Sequence, residues 1–295
     1  MKNETIKQKI SELKKIKNAA ILAHHYAPEE VHEIADVLSD SRGFFEAVKG
    51  GIDAHLLIIV APTFFADITA AMLPDKTVMV PIHSECPVAN HPALSFEKIA
   101  EFKEKHHDTP FVCYATSPLK TQLLADFICV QGQMVQTIES VENPKVLFSS
   151  EPNCAIDALQ QTTKQIIKYP VCNIYKSANA SEVYYSRQQH PESKVLVHPE
   201  WKVLGTEMGF SEMGFWERVK NEFPAKENIQ LTPFLRCNVF KVFHLKTILD
   251  ALEDRGTTIR VDQIVANKVA ALFNQTPEKF GIAASYLRNP RSYAA

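Results

Sequence analysis

Five short polar clusters in this chain each follow a run of apolar residues. They are His24-His25-Tyr26, His83-Ser84-Glu85-Cys86, Tyr114 with Thr116 and Ser117, Ser149-Ser150-Glu151, and His198-Pro199-Glu200. Imidazole, phenol, hydroxyl, carboxylate and thiol are the groups that relay protons and hold metals. Their recurrence at the same point of the pattern suggests one site assembled from several segments. Turns are polar in any fold, so a purely structural origin stands beside this reading. His198 and Glu200 lie two apart beyond an apolar stretch and can face one side, where they could share a proton transfer. His24 and His25 are adjacent, so an extended backbone aims them apart, giving one site residue and one packed or surface residue.

The six cysteines are Cys86, Cys113, Cys129, Cys154, Cys172 and Cys237. None forms a close pair, which excludes zinc-ribbon and ferredoxin spacing. Cys113 and Cys129 sit inside apolar segments and read as buried small hydrophobes, while a cluster built from distant cysteines stays open. No G-x-G-x-x-G follows a strand and no phosphate loop is present, which argues against a dinucleotide or nucleoside triphosphate enzyme. With 32 basic and 34 acidic residues the net charge is -2, so neither nucleic acid nor a membrane surface is an expected partner. The longest apolar run, near Leu56–Pro62, is too short to span a membrane. Met1–Lys9 has charge without a following apolar stretch, so the expected compartment is the reducing cytoplasm.

The elements that must position these groups alternate. Apolar strands are expected at Ala20–Ala23, Leu56–Ala61, Thr77–Pro81, Phe111–Tyr114, Lys145–Phe148, Gln165–Ile167, Lys194–Val197, Ile229–Leu231 and Thr258–Val261. Helices are expected at Thr5–Asn18, with Ile6, Ile10, Leu13 and Ile16 on one face, and from Pro28. Others fall at Ser95–Lys105, Pro118–Phe127, Cys154–Thr162, Ala180–Gln188, Met213–Phe223, His244–Asp254 and Asp262–Asn274. The pattern gives an α/β fold with parallel sheets, whose sites lie outside the carboxyl ends of the strands. No repeat is visible at the residue level. Weak boundaries fall near Asn90–Ala93 and His190–Ser193.

Several motifs, in order, resemble the quinolinate synthase family. They include Ile21-Leu-Ala-His-His-Tyr-Ala-Pro-Glu29, Asp36-Val-Leu-Ser-Asp-Ser41 (with Ser39 for the usual glycine), Phe64-Phe-Ala-Asp67 and Leu73-Pro-Asp-Lys-Thr-Val78. Ser84-Glu-Cys86, Tyr114, Ala125-Asp126, Pro170-Val-Cys172, His198-Pro-Glu200, Gly205-Thr-Glu207, Cys237, Leu252-Glu-Asp254 and Ile259-Arg-Val-Asp262 continue the register. The resemblance implies three small α/β/α three-layer domains around a pseudo-threefold axis, over residues 1–95, 96–190 and 191–295. It also implies a [4Fe-4S] cluster held by Cys86, Cys172 and Cys237, with one iron left to bind substrate oxygens as a Lewis acid. The implied reaction condenses iminoaspartate with dihydroxyacetone phosphate and loses phosphate and two waters to give quinolinate. By the same carry-over, His24 and Tyr26 orient carboxylates and the carbon skeleton, Ser41 holds a carboxylate or phosphate, and Tyr114 donates near the cluster. His198 and Glu200 manage proton transfers. Iron–sulfur assembly machinery is the implied protein partner.

The departures from the family fall in the site. Thr116 stands for Asn, Val130-Gln-Gly-Gln133 for Thr-Ser-x-Asn, and Ser150-Glu-Pro-Asn-Cys-Ala155 for Pro-Asp-Lys-Asn-Leu-Gly. Cys172-Asn-Ile-Tyr175 stands for Cys-x-x-His, and a phenol cannot shuttle a proton near pH 7 as an imidazole does. Trp201 follows Glu200 and Gly205 arrives almost at once, so about one strand–helix unit with its Gly-Ser-Thr is missing and the third domain is shortened. Thr116, Gln131, Gln133 and Tyr175 then become the available substrate contacts. Three functions stay open: ordinary quinolinate synthesis, a related cluster enzyme for another small carboxylate, and a non-catalytic iron–sulfur sensor or scaffold. Cys154 is the substitute ligand should Cys237 not serve.

Overall fold

The computed structural model describes residues 3–86, 95–115, 117–129, 134–149, 162–168, 188, 195–196, 208–209, 216–217, 220–221, 229–230 and 237–275. Helix α1 (Asn3–Ile16) buries Ile6 and Ile10 as their spacing requires. Ile16, in its last turn, is 77% exposed and does not share their face. The chain then alternates through β1 (Ala19–His24), α2 (Glu29–His32), β2 (Val37–Ser39), α3 (Ser41–Gly50), β3 (Leu56–Val60), α4 (Thr63–Met72) and β4 (Thr77–Val80). β1 and β3 are apolar on both faces and almost wholly buried, as central parallel strands must be.

A second run comprises α5 (Phe96–Lys105), β5 (Phe111–Tyr114), α6 (Leu119–Gln122), β6 (Phe127–Cys129), α7 (Met134–Ser140), β7 (Lys145–Ser149) and β8 (Gln165–Lys168). The helix expected over Pro118–Phe127 is a single turn. Gln122 is fully buried and donates to Ala115 O at 3.1 Å and Ser117 O at 2.8 Å, and the chain then extends into β6. Three short strands follow, β9 (Val195–Leu196), β10 (Met208–Gly209) and β11 (Ile229–Gln230). The described chain ends with α8 (Leu245–Asp250), a π-helical turn over Ala251–Arg255, β12 (Thr257–Ile259) and α9 (Gln263–Gln275). The helices expected at Cys154–Thr162, Ala180–Gln188 and Met213–Phe223 lie largely outside the described residues.

Three sheets result, ordered β12-β4-β3-β1-β2, β6-β5-β7-β8 and β11-β10-β9. All pairs are parallel except β12 with β4, which corrects the expectation of parallel sheets throughout. Asp254 at φ 64° reverses the chain ahead of β12. Gly256 lets it approach, since a Cβ there would lie 2.7 Å from Met79 Sδ. Among the described residues no helix is long and apolar enough to cross a membrane.

The β1–β2 pair of the first sheet recurs in the second as β5–β6 at an offset of 90 residues, as from Ile21 to Phe111, and β3 recurs as β7 at an offset of 89. Leu22 pairs with Val37 as Val112 pairs with Phe127, and His24 with Ser39 as Tyr114 with Cys129. Asp36 Oδ2 accepts from Ile21 N at 2.8 Å, and Asp126 Oδ2 accepts from Phe111 N at 2.8 Å. Lys14 Nζ bridges Asp36 and Ile34 O, and Lys103 Nζ bridges Asp126 and Leu124 O. Each pins the start of the central strand to its neighbour. The third sheet keeps the β4-β3-β1 order as β11-β10-β9. Its Met208–Ile229 register spans 21 residues, like Leu56–Thr77. Its Val195–Met208 register spans only 13, against 37 for Ala19–Leu56.

One apolar core unites the first sheet, α1, α4, α8 and α9 with Phe111, Cys113, Ala115, Ile128 and Leu147 of the second sheet. The opposite face of the second sheet, with Val112, Tyr114, Cys129 and Phe148, packs Met134 and Ile138 of α7. The carboxyl ends of β1, β3 and β4 thus rise from one sheet seated in this core.

Candidate active site

His24 is the last residue of β1 and is 1% exposed. Its Nδ1 accepts from Tyr26 N at 3.2 Å, so in the neutral ring the proton sits on Nε2. That nitrogen faces Ser41 Oγ at 3.4 Å and donates to it. Ser41 begins α3, whose N-cap Asp40 accepts from Gly43 N at 2.8 Å. The replacement of the family's glycine by Ser39 is accommodated locally. A Cβ on residue 43 would lie 1.9 Å from Ser39 Oγ, and residue 43 is glycine. His24, Ser41 and the strand end therefore keep a fixed relation despite the departure.

Aromatic rings wall this group. The His24 ring centroid lies 4.6 Å from Tyr26, 5.8 Å from Phe65 and 4.9 Å from Phe240, and Phe240 lies 5.4 Å from Tyr26. His25, for which a packed or a surface place was expected, is buried, and its N donates to Ser39 O at 2.8 Å. Phe240 belongs to the turn after Cys237, in which Phe240 N donates to Cys237 O at 3.0 Å. Lys241 Nζ donates to Tyr26 O at 3.3 Å, and Ser84 Oγ donates to Val239 O at 2.5 Å. The Cys237 turn is thereby fastened both to the end of β1 and to the loop that carries Cys86. Both cysteines are thiols, half-buried against the main core.

The structure thus gathers His24, Tyr26 and Ser41, and ties the segments of Cys86 and Cys237 to them. Tyr114 ends β5 at the position equivalent to His24 and is buried against Cys129 and Met134. Thr116, Gln131, Gln133, Cys154, Cys172, Tyr175, His198 and Glu200 lie outside the described residues. Among the described residues no group of three or more histidine, cysteine or acidic side chains gathers as a metal site. Two half-buried thiols stand on loops joined by a hydrogen bond. Cys113 and Cys129 are fully buried core residues, as expected, and burial, then the neighbouring Cys113, pushes the Cys129 thiol well up. Sequence reasoning missed Phe65, Phe240, Lys241 and the bond from Ser84. Only the position of Ser84 in a strand-end cluster signalled any of them.

Asp67 on α4 lies near Glu85 and His83 of the Cys86 loop. Burial, then the Glu85 charge, pushes its carboxyl up to about 6, with His83 opposing. The folded state thus holds this proton more tightly than the unfolded chain. Stability from this residue is present below the ordinary carboxylate range and is lost as pH rises toward 6. Allowing for solvent screening, the Asp67→Asn protein is expected to be about 1–2 kcal/mol more stable than the native one at pH 7. The two should converge at pH 4. Urea unfolding of the metal-free proteins between those values tests this, and a constant difference would refute it.

Residues 8–208 match the sequence profile of the family described as "Quinolinate synthetase A protein". A quinolinate synthase of Alkaliphilus metalliredigens is 31% identical over 94% of this chain and 99% of its own length. One from Dehalococcoides mccartyi is 29% identical over 91% and 96%. Another, from Methanosarcina barkeri, is 33% identical over 78% and 76%.

Proposed function

The chain belongs to the quinolinate synthetase A family, and from that premise we propose that it is a [4Fe-4S] enzyme condensing and dehydrating small carboxylates. The observation that carries this is the linkage of the Cys86 and Cys237 loops over the His24–Ser41 pair. Cys86, Cys237 and Cys172 would hold the cluster. When bound, a cluster with three protein thiolates supplies a Lewis-acidic iron to substrate oxygens. The reaction proposed first is the family's own: iminoaspartate and dihydroxyacetone phosphate join, with loss of phosphate and two waters, to form quinolinate.

In this reading His24 keeps Nε2–H on Ser41 Oγ, which directs the serine hydroxyl proton toward an oxyanion. Tyr26 and Phe240 exclude water from one side of the substrate, and low local polarity strengthens each hydrogen bond there. Tyr114 orients the carbon skeleton, and His198 with Glu200 moves protons. The three-domain arrangement about a pseudo-threefold axis, over residues 1–95, 96–190 and 191–295, is part of the same proposal. The offset of 90 residues and the shared strand order support it.

A second reading, another small carboxylate as substrate, is favoured by the third sheet. Eleven residues (197–207) separate β9 from β10, too few for the strand and helix that lie between β1 and β3. That is where the family places its Gly-Ser-Thr. Both readings require an anion at Ser41. Calorimetric titration with pyridine-2,3-dicarboxylate is therefore expected to show binding to the native cluster-loaded protein. The Ser41→Ala protein should bind about 10- to 100-fold more weakly, the loss of one hydrogen bond to a charged group. Equal affinity in the two proteins would remove Ser41 from the site.

A further inference from the structure

The segments that carry Cys86 and Cys237 lie far apart in the chain, and a single side chain fastens them. Ser84 stands two residues before Cys86, and Val239 two residues after Cys237. The Ser84 hydroxyl donates to Val239 O at 2.5 Å and is enclosed, the residue being 6% exposed. Its backbone is held from below. Thr63 N and Thr63 Oγ1 donate to Ser84 O at 2.8 and 3.2 Å, and Ser84 N donates to Thr63 Oγ1 at 3.0 Å. Thr63 opens α4, whose Phe65, Ala66 and Ile68 are anchored in the main core. A rigid helix therefore fixes Thr63, Thr63 fixes Ser84, and Ser84 fixes the Cys237 turn.

We propose that Ser84 is a positioning residue that sets Cys86 and Cys237 at their working separation before any metal arrives. The inference rests on the iron–sulfur reading above. Ligands held in place by supporting hydrogen bonds lose less freedom on binding and release their metal more slowly. Without the Ser84 hydroxyl, the Cys237 turn keeps the Lys241–Tyr26 bond and the packing of Phe240, which hold its far end but not its relation to Cys86.

The test is the rate at which cluster-loaded protein, kept free of oxygen, yields its iron to a ferrous chelator. The Ser84→Ala protein is expected to release iron about tenfold faster than the native one, the effect of one buried hydrogen bond. Ser84→Thr keeps the hydroxyl and is expected to restore the native rate. Thr69→Val is the control for general loosening. It deletes a buried hydroxyl that donates to Phe65 O at 2.7 Å on the same helix, and Thr69 contacts neither cysteine loop through that bond. It should lower the melting temperature of the metal-free protein without speeding iron release. Native-rate release from Ser84→Ala, or equal acceleration by Thr69→Val, overturns the inference and leaves the cluster reading intact. A native protein that takes up no iron overturns both.

Discussion

Cys237→Ala protein purified without oxygen is expected to be colourless and nearly free of iron. The native chain should be brown, with about four irons and about four sulfides. Cys86→Ala and Cys172→Ala should behave like Cys237→Ala, because removing one of three thiolates leaves two irons of the cluster without protein ligands. Cys113→Ala and Cys129→Ala should keep the full iron content. The argument for the contrast is structural. A ligand must be deprotonated and reachable. Cys86 and Cys237 are half-buried on loops joined through Ser84 and Val239. Cys113 and Cys129 are fully enclosed, in different apolar clusters, and burial raises the Cys129 thiol well above its ordinary range. Truncating either costs core packing, about 1–2 kcal/mol for a side chain this small, and no metal. Iron and acid-labile sulfide assays decide the matter. Full occupancy in Cys237→Ala would refute the assignment and move the third thiolate to Cys154.

The parts of this fold legible in the sequence were those where burial and chemistry coincide. The long apolar runs gave β1, β3, β5 and β7, and the rule that sites lie beyond strand ends led to His24 and Tyr114. The three-residue strands β2 and β6 were not legible. Each is too short for a periodic signal, and Leu119, Leu123 and Leu124 imitate a helical face across Pro118–Phe127. What stops that helix is the Gln122 amide, which bonds back to Ala115 O and Ser117 O. That effect needs the loop already in place. The offset of 90 residues escaped notice for a related reason. The repeated residues do backbone work: Asp36 and Asp126 accept from strand amides, and Pro28 and Pro118 precede the one-turn helices. Between them the chemistry differs, with His24 in one copy and Tyr114 in the other. The wall of the site was hidden because Phe65 and Phe240 look like ordinary core residues. Only tertiary contact brings Phe240 against His24.

With its cluster intact, the protein is expected to turn over iminoaspartate and dihydroxyacetone phosphate poorly, with kcat/KM at least about 100-fold below that of an ordinary quinolinate synthase. A polar group at a binding site that loses its partner costs about 1–3 kcal/mol. Each 1.36 kcal/mol of transition-state binding is about tenfold in rate. Three recognition elements have changed here. Asn is replaced by Thr116, the Thr-Ser-x-Asn run by Val130-Gln-Gly-Gln133, and only eleven residues join β9 to β10, where the resemblance places Gly-Ser-Thr. Three such losses, even at the low end, exceed about 100-fold. The groups that could compensate, Thr116, Gln131, Gln133 and Tyr175, are neutral and suit a less charged ligand. The His24–Ser41 pair and the two tied cysteine loops are preserved. Metal-site integrity and recognition are therefore expected to separate: normal iron content beside weak turnover. Assay of quinolinate formation under anaerobic conditions tests this directly, and the gene should fail to restore growth of a quinolinate-requiring host. Robust rescue, or a kcat near the family's ordinary value, would defeat the changed-substrate reading and make the shortened third sheet a neutral trimming. Absence of turnover with any small carboxylate, together with binding to another protein that follows the redox state of the cluster, would assign a sensor. A chain relieved of catalysis has no use for a histidine proton aimed at Ser41. Ser41→Ala should then leave that redox-dependent binding untouched, whereas in an enzyme it must impair turnover.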